Sequence, residues 1–228
     1  MKMKKIVMLC GAALLGVSSL AQAEFTANIG VTSNYLWRGV TQTSDGAAIS
    51  GGVDWAHESG AYAGTWVSNI DWGIGNGAEV DFYGGFANEL GDFGYDVGMI
   101  YYYYPDSDYS GSDFSEIFFN GSWKWLEAGL AYTMWGDADS GAPWSSGDMY
   151  YHLGASFDVA ESWSVGVTGG YYDFDTSRAY GDMDYGHIQA DLTKSAGDWG
   201  DFTLTVSQAE EESGDDDTKF FISWSKSF

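Results

Sequence analysis

Apolar and polar residues alternate with a period of two through almost the whole of this chain, in runs separated by Gly, Asp, Ser and Glu. Phe25, Ala27, Ile29 and Val31 form one apolar row, and Val80, Phe82 and Phe86 a second. Phe93, Tyr95, Val97, Met99 and Tyr101 form another, as do Leu126, Ala128, Leu130, Tyr132 and Met134, and Trp163, Val165, Val167 and Tyr171. Only an extended backbone keeps such a row on one face, because side chains two apart on a strand point the same way whereas a helix would scatter them. Counting the runs gives about twelve strands. They fall near 24–36, 47–57, 61–72, 79–88, 93–104, 113–123, 126–135, 148–158, 162–174, 184–194, 201–209 and 218–228. Most are close to the ~9–11 residues with which a tilted strand crosses a bilayer. Pro105 and Pro143, the two prolines, fall between the runs, where no ladder donor is lost.

The connectors alternate in length. Those near 58–60, 89–92, 124–125, 159–161 and 195–200 are mostly tight, and those near 37–46, 73–78, 105–112, 136–147, 175–183 and 210–217 are mostly longer. Short turns at one end, long loops at the other and both termini at the short-turn end are what an even-stranded membrane barrel requires. A soluble sandwich would bury the aromatic rows between two sheets, but has no reason to alternate its loops. The expected fold class is therefore all-β: a transmembrane antiparallel up-and-down β-barrel built from residues 24–228.

Acids and tryptophans give two further rulers. Glu24, Asp54, Asp71, Glu79, Asp81, Asp96, Glu116, Glu127, Asp148, Asp158, Asp191 and Asp201 take the face opposite the apolar rows, and the exceptions, Asp113, Asp173 and Asp184, sit at strand ends on the long-loop side. A charge at mid-bilayer costs ~2–4 kcal/mol, so the acids belong to the lumen. Trp37, Trp72, Trp135 and Trp144 flank the long loops, and Trp55, Trp123, Trp125, Trp163 and Trp199 flank the short turns, as two interfacial girdles would.

Both ends carry addresses. Lys2, Lys4 and Lys5, the apolar run Ile6 to Leu20 and Ala21-Gln22-Ala23 read as the basic, hydrophobic and cleavage regions of a secretory signal peptide spanning 1–23. Cys10, the single cysteine, leaves with it, so disulfides and thiol chemistry are not expected of the mature chain. At the other end Phe220, Ile222, Trp224 and Phe228 form an apolar row ending on an aromatic, which resembles the C-terminal signal of bacterial outer-membrane barrels. The resemblance implies an outer-membrane location, lipid as the surrounding solvent, and recognition of Trp224 and Phe228 by the barrel-assembly machinery.

Beyond the signal, six basic residues stand against 33 acids, which disfavours nucleic acid and anionic surfaces as partners. Abundant aromatics exclude the disorder that such acidity can otherwise signify. Asp54, Glu79, Asp81, Asp96, Glu116, Glu127, Asp158 and Asp191 are the expected lumen wall, with Lys219 and Arg38 the basic residues on the inward side. About eight strands leave an interior that side chains fill and sixteen or more leave an open channel, so twelve predict a narrow one. Inward carboxylates favour cations at a constriction. Arg38, at the top of the first strand, either bridges to lumenal carboxylates and fixes the loop above it or stands as an ordinary rim arginine.

The segment SNYLWRGVTQT at 33–43, followed by GGVDW at 51–55, resembles the N-terminal signature of the TorF-type porins, a family of bacterial outer-membrane barrels. The resemblance implies fold and location more than substrate. Trp37, Arg38 and Gly39 are the part that marks the family, with no assigned chemical role.

The expected function is thus porin-like passive diffusion of small solutes or ions through an acidic lumen, with no catalytic residue, cofactor or metal. Two other classes stand beside it. One is binding or adhesion by the long loops, where Glu210-Glu211-Glu212, Asp215-Asp216-Asp217 and the 137–148 stretch supply oxygen ligands suited to calcium, although Ala142 replaces the glycine an EF-hand needs. The other is a lipid-modifying enzyme, for which His57-Glu58-Ser59 has the right residue types at a short turn, while His152 and His187 take lumenal parity.

Overall fold

The computed structural model describes residues 23–176 and 181–228. The signal peptide expected over 1–23 lies, apart from Ala23, outside the described residues. The chain forms β1 (Glu24–Thr32), β2 (Leu36–Trp37), β3 (Val40–Thr41), β4 (Ala48–Ala56), β5 (Ala61–Asp71), β6 (Asn76–Leu90) and β7 (Phe93–Tyr103). It continues with β8 (Phe114–Trp123), β9 (Leu126–Gly136), β10 (Met149–Ala160), β11 (Trp163–Asp173), β12 (Tyr185–Ser195), β13 (Asp201–Ala209) and β14 (Lys219–Ser227). All but β2 and β3 join one closed sheet in which each strand pairs antiparallel with its neighbours in sequence. The twelve-stranded up-and-down barrel closes where β1 meets β14, from Asn28 opposite Ser227 to Thr32 opposite Ser223. Beyond that ladder Phe228 and Ala27 exchange both backbone hydrogen bonds, so the last residue is stitched into the seam.

Alternation decides which face is which. Phe82, Val97, Leu204 and Ile222 are about half exposed or more, whereas the residues between such positions are buried: Glu116 is 1% exposed and Thr133 0%. Apolar outside and polar inside is the arrangement of a barrel whose solvent is hydrocarbon. No helix among the described residues is long and apolar enough to cross a membrane.

Two differences from the sequence reading have local causes. β1 stops at Thr32 instead of 36, because Thr32 Oγ1 donates to the Asn34 carbonyl at 2.7 Å and turns the chain inward. β6 begins at Asn76 instead of 79, because Asn76 pairs with Asp71 and reduces the connector above to four residues, 72–75. Trp37 also departs from the expected girdle: it points into the barrel, while Trp135 and Trp144 at the long-loop end and Trp123, Trp125 and Trp199 at the short-turn end are exposed.

Candidate functional site

The loop after β1 does not rise away from the barrel. Residues 33–47 fold back into the lumen as a hairpin, β2 pairing with β3 through Leu36 opposite Thr41 and Trp37 opposite Val40. Its two tip residues, Arg38 and Gly39, have φ of 51° and 88°. Two central residues with positive φ define the type I′ turn, whose twist matches that of paired strands. Gly39 suits its place for a second reason: a Cβ there would lie 2.7 Å from the Cβ of His187 on β12, so the tip can approach the wall only without a side chain. Arg38 adopts a conformation unusual for a long side chain, and such strain persists where the surroundings over-determine it.

What determines it is a bidentate ion pair. Arg38 Nη1 donates to Glu116 Oε1 at 2.8 Å and Nη2 to Oε2 at 2.6 Å, with the two side chains 5% and 1% exposed. Glu116 also accepts from Tyr102 Oη at 3.3 Å. The guanidinium carbon lies 4.2 Å from the ring centres of Trp37 and Tyr150 and 4.9 Å from that of Tyr172, well within cation–π range. Tyr150 is held in turn by His187, whose Nε2 is 2.9 Å from the phenol oxygen and whose ring stacks parallel to it.

Aromatic packing extends this contact across the barrel. Trp37 meets Tyr102 and Phe114 edge-on from one wall and Tyr172 from the other, all with ring centres under 6 Å apart. It therefore joins two buried clusters, one of Ile70, Tyr102, Tyr104, Tyr109 and Phe114, the other of Ala131, Tyr150, Tyr172, Phe174, Tyr185 and Ala209. The upper lumen is an aromatic core with the hairpin as its centre.

Three further anchors hold the hairpin's stem. Tyr35 Oη donates to Glu79 Oε1 at 2.7 Å, and Tyr104 Oη to the other oxygen of Glu79 at 3.0 Å. Burial, and next the field of Glu79, holds the Tyr35 phenol well above its ordinary pKa, so it stays a donor. Lys219 Nζ lies 2.9 Å from Asp45 and 2.7 Å from Asp215, while the second Asp215 oxygen accepts from the Thr41 amide. Trp72 Nε1 donates to Gln42 Oε1 and the Asp71 amide to the Gln42 carbonyl.

Below the hairpin, carboxylates meet hydroxyls and amides. Asp54 accepts from Tyr83 and Asn28, Asp96 from Tyr62, and Asp191 from Thr205 and Gln189. Glu127 is half-buried, and Asp81 is buried with one carboxylate oxygen, Oδ1, unpartnered. Asp158 keeps the inward parity of β10 but lies past the end of its ladder with β9, at Ala155, and is exposed at the short-turn rim. It lines no wall. Trp224 is partly buried and donates through Nε1 to the Trp199 carbonyl, whereas Phe228 is exposed.

Of the residues behind the other functional classes, His187 and Asp215 belong to this site and His152 stacks on Tyr150, whereas His57 and Ser59 stand apart from it. His57 Nδ1 lies 2.9 Å from Ser59 Oγ, but the same nitrogen accepts from the Ser59 amide in an exposed turn, a local capping contact. Asp148, ending the 137–148 loop, accepts from the Trp144 and Asp175 amides, and burial pushes its carboxyl up to about 6. Among the described residues no group of three or more His, Cys, Asp or Glu is placed to hold a metal ion.

Fold and lumen together define a porin-like closed β-barrel with an inward-folded first loop. Residues 18–222 match the family described as "Bacterial protein of unknown function (Gcw_chp)", and the chain belongs to it. Comparison with curated proteins finds no match. Among solved structures the chain is similar to a KdgM porin, at 11% identity and a TM-score of 0.59, covering 89% of this chain and 99% of that one. It is also similar to a structure described as "KdgM porin in complex with disordered oligogalacturonate", at 8% identity and a TM-score of 0.56, covering 89% and 98%. A NanC porin matches at 12% identity and a TM-score of 0.50, covering 90% and 98%. At these identities the likeness establishes the fold.

Proposed function

We propose that the protein is an outer-membrane channel for small cationic or neutral solutes, held closed by its first loop in the conformation described above. The observation that carries this reading is the imbalance of lumenal charge. Among the described residues each inward Lys or Arg side chain is already matched, Arg38 by Glu116 and Lys219 by Asp45 and Asp215. Asp54, Glu79, Asp81, Asp96, Glu127 and Asp191 have no cationic partner among the described residues. Carboxylates lining a narrow passage lower the free energy of a cation there and raise that of an anion.

Membership of a porin-like fold, the apolar exterior and the seam through Phe228 support the outer-membrane location, and the likeness of SNYLWRGVTQT to the TorF-type porins points the same way. Oligogalacturonate, which the KdgM complex names, is a polyanion. A lumen of this charge opposes such a solute, so the substrate class differs even where the barrel does not. Reversal potential in a planar bilayer under a salt gradient tests the reading with refolded protein. Cation selectivity is the expected result, and anion selectivity, or silence from a well-folded barrel whose plug has been loosened, would overturn it.

A further inference from the structure

We propose that the cage around the Arg38 guanidinium is a recognition site for guanidinium-bearing solutes, occupied in this conformation by the protein's own arginine. This rests on the channel reading above and names the solute class of that lumen. Glu116 presents both carboxylate oxygens in one plane, and the rings of Trp37, Tyr150 and Tyr172 lie within 4.9 Å of the cation's centre. A carboxylate fork with aromatic faces is the combination that selects a planar delocalised cation over a compact hydrated one.

The wall supplies most of that cage independently of the hairpin. Glu116, Tyr150 and Tyr172 belong to β8, β10 and β11, so they persist if residues 33–47 move, and only the Trp37 face departs with the arginine. Nor does the tethered group saturate the site. Arg38 Nε, the Tyr172 phenol and the Thr133 hydroxyl, opposite Glu116 in the ladder, are buried without hydrogen-bond partners. A structural ion pair alone has no need of three aromatic faces or of a tip strained to φ of 51°. A ligand mimic needs both, because it must reach the site and leave it. Wild-type Arg38 competes at the high effective concentration of a tethered group, so a free guanidinium solute occupies the cage only when the arginine has withdrawn.

Chemical rescue tests this in the refolded full-length barrel. Arg38→Gly removes the mimic and relieves the turn, since glycine accepts positive φ. Methylguanidinium at about 10 mM, far below the molar range in which guanidinium denatures, should restore hydrogen-exchange protection at Gln42 and the closed conductance level. The effect should exceed that of equimolar sodium at least tenfold, and Glu116→Gln in the same background should abolish it. Methylguanidinium acting no better than sodium overturns the site, and if conductance has meanwhile risen the channel reading survives. Silent bilayers accompanied by restored protection uphold the site and remove the channel. Arg38→Ala, examined in parallel, reads the same outcomes if the glycine variant does not refold.

Discussion

Removing either half of the Arg38–Glu116 pair should free the hairpin while leaving the barrel intact, and the size of the effect follows from the geometry. Two unit charges about 4 Å apart attract by ~4 kcal/mol at the effective dielectric of ~20 that suits protein sites. Three ring faces within 4.9 Å of the guanidinium add ~0.5–2 kcal/mol each where water is excluded. Against this stand the strained φ at Arg38, of order 1–3 kcal/mol, and several kcal/mol for desolvating both ions. Breaking a buried pair by deleting one partner leaves the other charge uncompensated and costs ~3–5 kcal/mol. Arg38→Met should therefore weaken hairpin closure by roughly 100- to 4,000-fold, at tenfold per 1.4 kcal/mol. Hydrogen exchange measures this directly at Gln42, whose amide donates to the Tyr35 carbonyl inside the plug. Glu116→Leu should cost a similar amount, and the double variant Arg38→Met/Glu116→Leu much less than the sum, because no buried charge remains. Additivity within ~0.5 kcal/mol, or loss of protection below tenfold, would refute the latch.

Three other outcomes are expected. Gly39→Val places a side chain against His187 at a positive φ, so plug amides should lose protection by ~1–3 kcal/mol; an unchanged exchange profile would mean that the tip does not sit against β12. Deleting Phe228 removes both backbone hydrogen bonds to Ala27 and the terminal aromatic; the yield of heat-modifiable protein in the outer membrane should fall, and an unchanged yield would count against Phe228 as an assembly signal. Leu204→Arg on the exposed face should cost ~2–4 kcal/mol in reversible folding into vesicles, whereas Thr203→Arg, one residue away on the lumenal parity, should cost far less; equal costs would sink the assignment of faces.

Much of this was legible from period and parity. Alternation places Phe82, Val97 and Leu204 on one side and Glu79, Asp96 and Glu116 on the other, and in a sheet the choice of face follows from counting by two. A signal for the plug was present too. Tyr102, Tyr150, Tyr172 and Tyr185 share the parity of the acids, and large aromatics on a lumenal face mean that the lumen is filled. Their role stayed hidden because an inward tyrosine on a strand has no partner until the opposite wall is known. Asp158 shows the converse: its parity is lumenal and it pairs with Ser164 of β11, but the ladder with β9 ends at Ala155, and parity alone does not locate where a neighbouring strand stops.

The sequence by itself determined the strand order, the two faces and the ends at which turns and loops lie, since these depend on interactions between residues close along the chain and on the solvent each face meets. Only the tertiary structure decided what occupies the lumen. Arg38 and Glu116 are 78 residues apart, and Lys219 reaches Asp45 across 174. Closing β1 on β14 brings such pairs within 3 Å, in a space where water is scarce and an unpaired charge is costly. The barrel was written in the spacing of its residues, and the latch came into being when the sheet closed on itself.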